Sequence, residues 1–209
     1  MRDRRPKPLR RSVGIRRPRK TLVVFCEGER TEPEYLEALK REPSVRDTAA
    51  VDLKVDPRSK SAPLMLVQMA VDARERALKE EAEIDEFWCV FDVEWPVNHP
   101  RLRDALELAD RNRIGVAVSN PCFELWLILH FQDWSAWLDN DAARRLRRQL
   151  DGQSKKGLDG KTYMARRRQA ADRALELERR HKGNDTTFPK DNPSSGMYRL
   201  IASVESPPQ

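Results

Sequence analysis

The chain has 209 residues, 35% of them charged, and a formal net charge of +6. That length suits one domain with a real core, or one domain with an appendage. No run approaches the roughly 18 apolar residues of a membrane span, and no apolar stretch comes after the basic N-terminus as a secretory signal would require. Cys26, Cys89 and Cys122 lie far apart inside apolar segments without a CxxC spacing, and read as reduced core thiols of a cytoplasmic protein.

The charge is unevenly placed. Residues 1–20, "MRDRRPKPLRRSVGIRRPRK", hold ten Lys or Arg against one acid, so the rest of the chain is slightly acidic. A Pro- and Arg-rich arm with few apolar residues cannot fold alone and is expected to be a disordered, polyanion-seeking tail. A merely solubilising leader is the alternative reading.

After the arm, Leu22–Cys26 is a short apolar run of strand type. Thr31–Arg41 reads as a helix, with Thr31 as N-cap, Glu34 completing a capping box and Pro33 in the first turn. Val51–Val55 is a weaker strand, and Ala62–Glu81 a long helix with Leu64, Val67, Ala70, Val71 and Leu78 at helical spacing. Glu86–Phe91 is a third strand, Leu102–Asn112 a helix and Ile114–Val118 a fourth strand. Strand–helix alternation with continuously apolar strands predicts an α/β fold whose mostly parallel sheet is flanked by helices on both faces.

The segment "SNPCFELWLILHF" differs. Asn120 can cap and Pro121 suits a first helical position. The residues after them are apolar nearly all round, so a central buried helix is expected, with Glu124 its one acid and His130 a satisfied core histidine. From Asp141 the chain is helical and Arg-rich, interrupted by "DGQSKKGLDGK", and "DNPSSGMYRLIASV" reads as a cap before a short amphipathic helix. The expected organisation is a basic arm at 1–20, an α/β domain at 21–135 and a helical C-terminal extension at 136–209 packed on it.

Two strands run straight into acids: the first into Glu27 and Glu29, the third into Asp92 and Glu94. In a parallel sheet the functional crevice lies beyond the carboxyl ends of the strands. Alternate residues of an extended chain share a side, so these acids converge if the first and third strands are neighbours. Such a cluster needs a proton or a cation, and hard oxygen donors without a Cys or His pattern favour Mg²⁺ or Mn²⁺ over zinc. The plainer alternative is a set of solvated helix starts, and Glu32 and Glu34 are most simply that.

"VVFCEGERTEPEYL", "WCVFDVEW" and "SNPCFELWLILHF", in this order, resemble the RloB family of bacterial restriction loci and abortive phage defence, with a weaker echo in "DNPSSGMYRLI". That family is similar to the Toprim fold of topoisomerases, bacterial primases and OLD-type nucleases. The resemblance implies a Toprim-like sheet in which Glu27 binds metal or takes a proton and Asp92 and Glu94 are the metal pair, the second acid being Glu where the motif has Asp. It implies that Glu29 and Glu32 belong to the family's E-G-E-x-T-E signature, and Asn120 and Glu124 to its S-N-P-x-F-E element. It also implies a separately encoded ABC- or AAA-type ATPase as partner, since this sequence has no GxxxxGK[ST] loop.

Other residues carry weaker signals. His99, in "WPVNHP", either leans over the acids or is a surface histidine. Arg58 and Lys60 come after the second strand, where a phosphate can be held. Arg166 and Arg167, with the arginines at 144–148, form either a phosphate-tracking surface or solvated helix faces. The expected function is Mg²⁺- or Mn²⁺-dependent cleavage of DNA or RNA in antiphage defence. The alternative is a non-catalytic nucleic-acid-binding or ATPase-regulating subunit. Topoisomerase-like transesterification would need an attacking tyrosine, and Tyr35, Tyr163 and Tyr198 offer no placed candidate.

Overall fold

A computed structural model of the chain describes residues 20–55, 62–152 and 157–206. Arg58, Lys60 and residues 1–19 of the basic arm lie outside the described residues. Lys20, expected to end the arm, belongs instead to the first strand, where its Nζ pairs with Glu86 and donates to Ser203 Oγ at 3.0 Å.

The sheet has five strands: β1 (Lys20–Cys26), β2 (Ala49–Val55), β3 (Glu86–Asp92), β4 (Gly115–Asn120) and the two-residue β5 (Ser194–Ser195), in spatial order β2-β1-β3-β4-β5. The first three pairings are parallel, and β5 closes the sheet antiparallel to β4. Thus β1 and β3 are neighbours, with Cys26 opposite Val90. Leu22, Val24 and Cys26 face one hydrophobic cluster and Val23 and Phe25 the other. A strand covered on both faces has no position left for a polar side chain, which is why "LVVFC" does not alternate.

One face is covered by α3 (Pro63–Lys79) and α4 (Leu102–Arg111). The other carries α1 (Thr31–Arg41), α2 (Pro43–Thr48), α5 (Phe123–Leu129), α6 (Asn140–Asp151), α7 (Gly160–Met164), α8 (Arg167–Gly183) and α9 (Met197–Glu205). No described helix is long and apolar enough to cross a membrane. The α5 helix is central, as its composition requires: Phe123 and Leu125 to Leu129 are all buried. His130 comes next, fully buried between Tyr35 Oη at 3.1 Å and the Trp126 carbonyl at 2.8 Å, and burial pushes its pKa down to about 3.

Several local expectations change. Thr31 is already helical and makes no cap; Arg30 precedes α1 and its Nε binds Glu34 at 2.8 Å, so the capping box is replaced by an ion pair one turn apart. Asn120 ends β4 rather than capping α5, and Pro121 lies outside a helix that starts at Phe123. Leu78 is 65% exposed, while Ala77 takes its place in the core. The α2 helix and β5 are elements that hydrophobic periodicity does not signal, being short and polar.

The C-terminal helices share the α1 and α5 core, through Tyr163, Met164, Ala170, Ala174, Met197, Leu200 and Ile201. Polar ties complete the junction. Arg147 is buried against Asp151 at 2.7 Å and donates to the Gly157 carbonyl at 2.6 Å. Arg167 binds Glu205 at 2.8 Å and Glu42 at 3.3 Å. Neither is a free phosphate ligand, contrary to the expectation for Arg167. A Cβ at Gly196 would sit 3.2 Å from the Val118 nitrogen, tighter than an ordinary contact, so glycine eases the approach of the chain to β4. Asn192 is buried and receives Leu138 N–H at 3.1 Å while donating to the Leu138 carbonyl at 2.7 Å.

Asn192→Ala strips both partners from a buried backbone unit, and unpaired buried groups cost about 1–3 kcal/mol each. The expected result is a urea midpoint lowered by the equivalent of roughly 2–3 kcal/mol with an unchanged slope. A wild-type midpoint would show that Leu138 finds other partners.

Candidate active site

Parallel pairing of β1 with β3 brings the first acids beyond each strand to the same edge of the sheet. Glu27 continues the ladder, its N–H donating to the Val90 carbonyl at 3.0 Å, and its Oε2 accepts from the Asp92 N–H at 3.3 Å. Asp92, last residue of β3, stands opposite Ser119 of β4. Its Oδ1 is buried without a hydrogen-bond partner.

Glu32 and Glu124 complete the cluster. Glu32 is only 8% exposed, although it sits in the first turn of α1 where a solvated carboxylate is the simple expectation. Gly28 explains how it turns inward: a methyl group there would overlap the Glu32 carboxylate. The glycine of the E-G pair therefore makes room for a second acid beside the first. Glu124 stands half-buried in the first turn of α5.

These four acids act on one another. Burial, and then the charges of Glu32, Glu27 and Glu124, hold the Asp92 carboxyl well above the usual range, opposed by the Phe123 N–H. Burial, and then Glu124 and Glu27, raise Glu32 to about 7, with Arg144 pulling the other way. The Cys122 thiol is pushed up by burial and by Glu124 and Asp92. Like charges desolvated together prefer to share protons or to surround a cation.

His99 enters from the β3–α4 loop, which folds back so that His99 N–H donates to the Val93 carbonyl at 3.0 Å. Its Nε2 lies 2.8 Å from Glu27 Oε1, but off the direction of a hydrogen bond, so the contact is an ion pair rather than a directed bond. Contact with Glu27, outweighing desolvation and aided by Glu94, raises its pKa. Of the two readings of His99, the one that leans over the acids is the one observed.

The remaining candidates lie elsewhere. Glu29 is exposed in the bend after β1. Glu94 does not continue the alternation of β3: its φ of 64° turns the chain, held by Glu94 N–H to the Pro121 carbonyl at 2.8 Å and by Asn98 Nδ2 to the Glu94 carbonyl at 2.6 Å. Its charge acts on His99. Asn120 is a structural tie, accepting from Trp95 Nε1 at 2.8 Å and donating to the Pro189 carbonyl and to Asp191 at 3.0 and 2.9 Å. Arg166 is exposed, its guanidinium 5.2 Å from the Phe131 ring centre. Arg144, whose charge reaches Glu32, is the functional candidate that the sequence names only within a run of arginines.

The donor set is all oxygen, and an unpartnered Asp92 oxygen is what a hard cation would use. Among the described residues, however, no three His, Cys, Asp or Glu side chains already stand in a metal-holding arrangement. Glu27, moreover, is engaged with His99. The residues thus fit a divalent cation in chemistry, and binding would require them to close inward.

Raised carboxyl pKa values mean that the folded state holds protons more tightly than the unfolded chain between pH 4.5 and about 7. Stability contributed by protonated Glu32 is present below that window and falls as pH rises through it. In EDTA, the melting temperature at pH 8 is expected to lie several degrees below that at pH 5.5. Glu32→Gln should flatten this dependence and stabilise the protein at pH 8 by on the order of 2 kcal/mol. Equal pH profiles for the two proteins would mean that Glu32 is not desolvated.

Residues 22–204 match the family model described as RloB-like protein. No curated protein and no solved structure matches the chain. With most of its length covered by that one model, and with the three signature segments meeting at one edge of the sheet, the chain belongs to the RloB-like family.

Proposed function

We propose that the protein is a metal-dependent nuclease that hydrolyses phosphodiester bonds of DNA or RNA, with a Toprim-like site and a role in antiphage defence. The observation that carries this reading is the buried, unpartnered Asp92 Oδ1 beside Glu27, Glu32 and Glu124 at the carboxyl edge of adjacent parallel strands. A purely structural cluster would pair that oxygen; a site awaiting a cation leaves it open. Glu27 and Asp92 would hold the cation, and Glu94 would join them only if its turn rearranged. When bound, Mg²⁺ or Mn²⁺ would lower the pKa of a water and neutralise charge developing on the phosphate.

The side chains supply the rest. Glu27 is the proton acceptor nearest the centre, with His99 at 2.8 Å to receive or return the proton once Glu27 exchanges partners. Exposed Glu29, two residues beyond Glu27, is the second acceptor. Glu32 and Glu124 keep the centre anionic, and Arg144 offers a cation to an approaching phosphate. Transesterification finds no support. Tyr35 and Tyr163 are buried, and Tyr198 Oη is bonded to Glu178 on α8. Family resemblance and the absence of a nucleotide-binding loop in the sequence support a separately encoded ATPase partner in the cytoplasm.

Mg²⁺ or Mn²⁺ bound only by the folded protein should raise its melting temperature, by the equivalent of about 2.7 kcal/mol at a roughly hundredfold excess over Kd. Asp92→Asn keeps the shape and removes the charge, so it should diminish this shift and abolish cleavage of DNA and RNA while sparing their binding. Assays with and without the neighbouring ATPase give the comparison. No calorimetric metal binding at millimolar concentration, together with wild-type behaviour of Asp92→Asn, would overturn the nuclease reading in favour of a non-catalytic nucleic-acid-binding or ATPase-regulating subunit.

Deletion of residues 1–19 should flatten the salt dependence of nucleic-acid binding with little change in melting temperature, because the arm contributes phosphate contacts and counterion release. Unchanged binding at low salt would remove the arm from the interface.

A further inference from the structure

The segment between α5 and α6 presents one large aromatic side chain to solvent next to the loop that carries His99. Trp137 is 57% exposed, a large aromatic face open to solvent. Its surroundings are fixed. On its N-terminal side the Ala136 carbonyl accepts from Trp134 Nε1 at 2.8 Å. On its C-terminal side Leu138 is buried and held at both backbone groups by Asn192. The ring itself meets Trp95 edge to face, with centroids 6.1 Å apart at 72°. Trp95 is three residues beyond Asp92, a reach of at most about 10 Å of chain. It is anchored in turn by its N–H to Asn140 Oδ1 at 3.0 Å and its Nε1 to Asn120 Oδ1 at 2.8 Å.

Asn140 also fixes the direction of α6. Arg144 lies four residues on, hence on the same face one turn along, about 6 Å from Asn140 along the axis. Its side chain is 43% exposed and its charge reaches Glu32 in the acidic cluster. The row Trp137, Asn140, Arg144 therefore leads from an exposed ring to a cation that pairs with Asp141 at 3.8 Å and whose charge is felt by Glu32. Arg145 and Arg148, both exposed, lie further along the same helix. An acidic site repels phosphate, so a polyanion reaches it only beside such a cation.

We propose that Trp137 and Arg144 form a ledge for one nucleotide of unpaired nucleic acid, with its base stacked on the indole and its phosphate turned by Arg144 toward the carboxylates. The inference rests on the nuclease reading for the identity of the site, and it narrows the substrate to single strands, loops or extruded bases. Within a duplex each base face is covered by its neighbours, so an indole can stack only on a base that has left the stack. A pre-ordered ring suits this task because little further freedom is lost on binding. The cations on α6 favour nucleic acid over an apolar protein partner.

The test is equilibrium binding of fluorescein-labelled single-stranded DNA, single-stranded RNA and blunt duplex to the full chain in EDTA. Wild type, Trp137→Phe, Trp137→Ala and Asp92→Asn are compared, with chain mass monitored by light scattering. Trp137→Ala should weaken single-strand binding about tenfold or more, as loss of one base stack does. Trp137→Phe should retain most of the affinity, and duplex binding should not respond. Equal affinity of Trp137→Ala and wild type for both single strands would overturn the ledge, as would an equal loss on duplex. A change in oligomer mass without a change in nucleotide binding would overturn it too, by assigning Trp137 to a second copy. In parallel assays with Mg²⁺ or Mn²⁺ in place of EDTA, with and without the neighbouring ATPase, stacking without cleavage by any form would support the ledge and sink the nuclease reading. Cleavage that depends on Asp92 but not on Trp137, with unchanged single-strand affinity, would sink only the ledge.

Discussion

Mutual repulsion among desolvated carboxylates is the constraint on which this molecule turns. Parallel pairing of β1 and β3 leaves no choice about where Glu27 and Asp92 go, since one comes just after β1 and the other ends β3 in a locked register. Burial then makes their charge expensive. Every neighbour can be read as a response to that expense. His99 supplies positive charge to Glu27, the Phe123 N–H partly offsets Asp92, and Arg144 does the same for Glu32. These responses are incomplete, because one Asp92 oxygen stays unpartnered. An incompletely neutralised cluster at the edge of a sheet is a ligand-ready arrangement, whereas elsewhere the molecule neutralises its buried charges within the fold, as with Arg147 and Asp151 or Arg167 and Glu205.

Much of the fold is legible in the sequence because β1, β3 and β4 carry short apolar runs separated by helical periodicity. Burial on both faces writes itself into consecutive residues such as Leu22 to Cys26, and Cys89 to Phe91 of β3 obey the same rule. The elements that stay hidden have little sequence signature. The α2 helix is six mostly polar residues, and β5 is two serines recruited by β4. Their formation depends on surfaces that exist only after the rest has folded.

The site is legible in part for the same reason. Glu27 and Asp92 announce themselves by abutting apolar runs. Glu32 does not, because an acid in a first helical turn has an ordinary explanation in the helix dipole, and only the open space above Gly28 turns it inward. Glu94 misleads because strand alternation stops short of it: its positive φ ends the extended geometry at that residue. Arg147 and Arg167 look like any surface arginines in sequence; their buried roles come from Asp151, Glu42 and Glu205, two of which are far away in the chain. Asn120 is a similar case, since its partners Pro189 and Asp191 lie about seventy residues later.

That last connection has a consequence for how the protein comes into being. Asn120 joins the loop bearing Trp95 to Pro189 and Asp191, and Ser119 meets Ser195 at 3.2 Å. All the acids of the site are synthesised by residue 124, yet the polar links that brace the adjoining loop await residues 189–195. On the ribosome the acidic edge would therefore exist as sequence long before it exists as architecture. A nascent chain would carry the acidic edge unbraced until residues 189–195 have been made and have folded back onto β4.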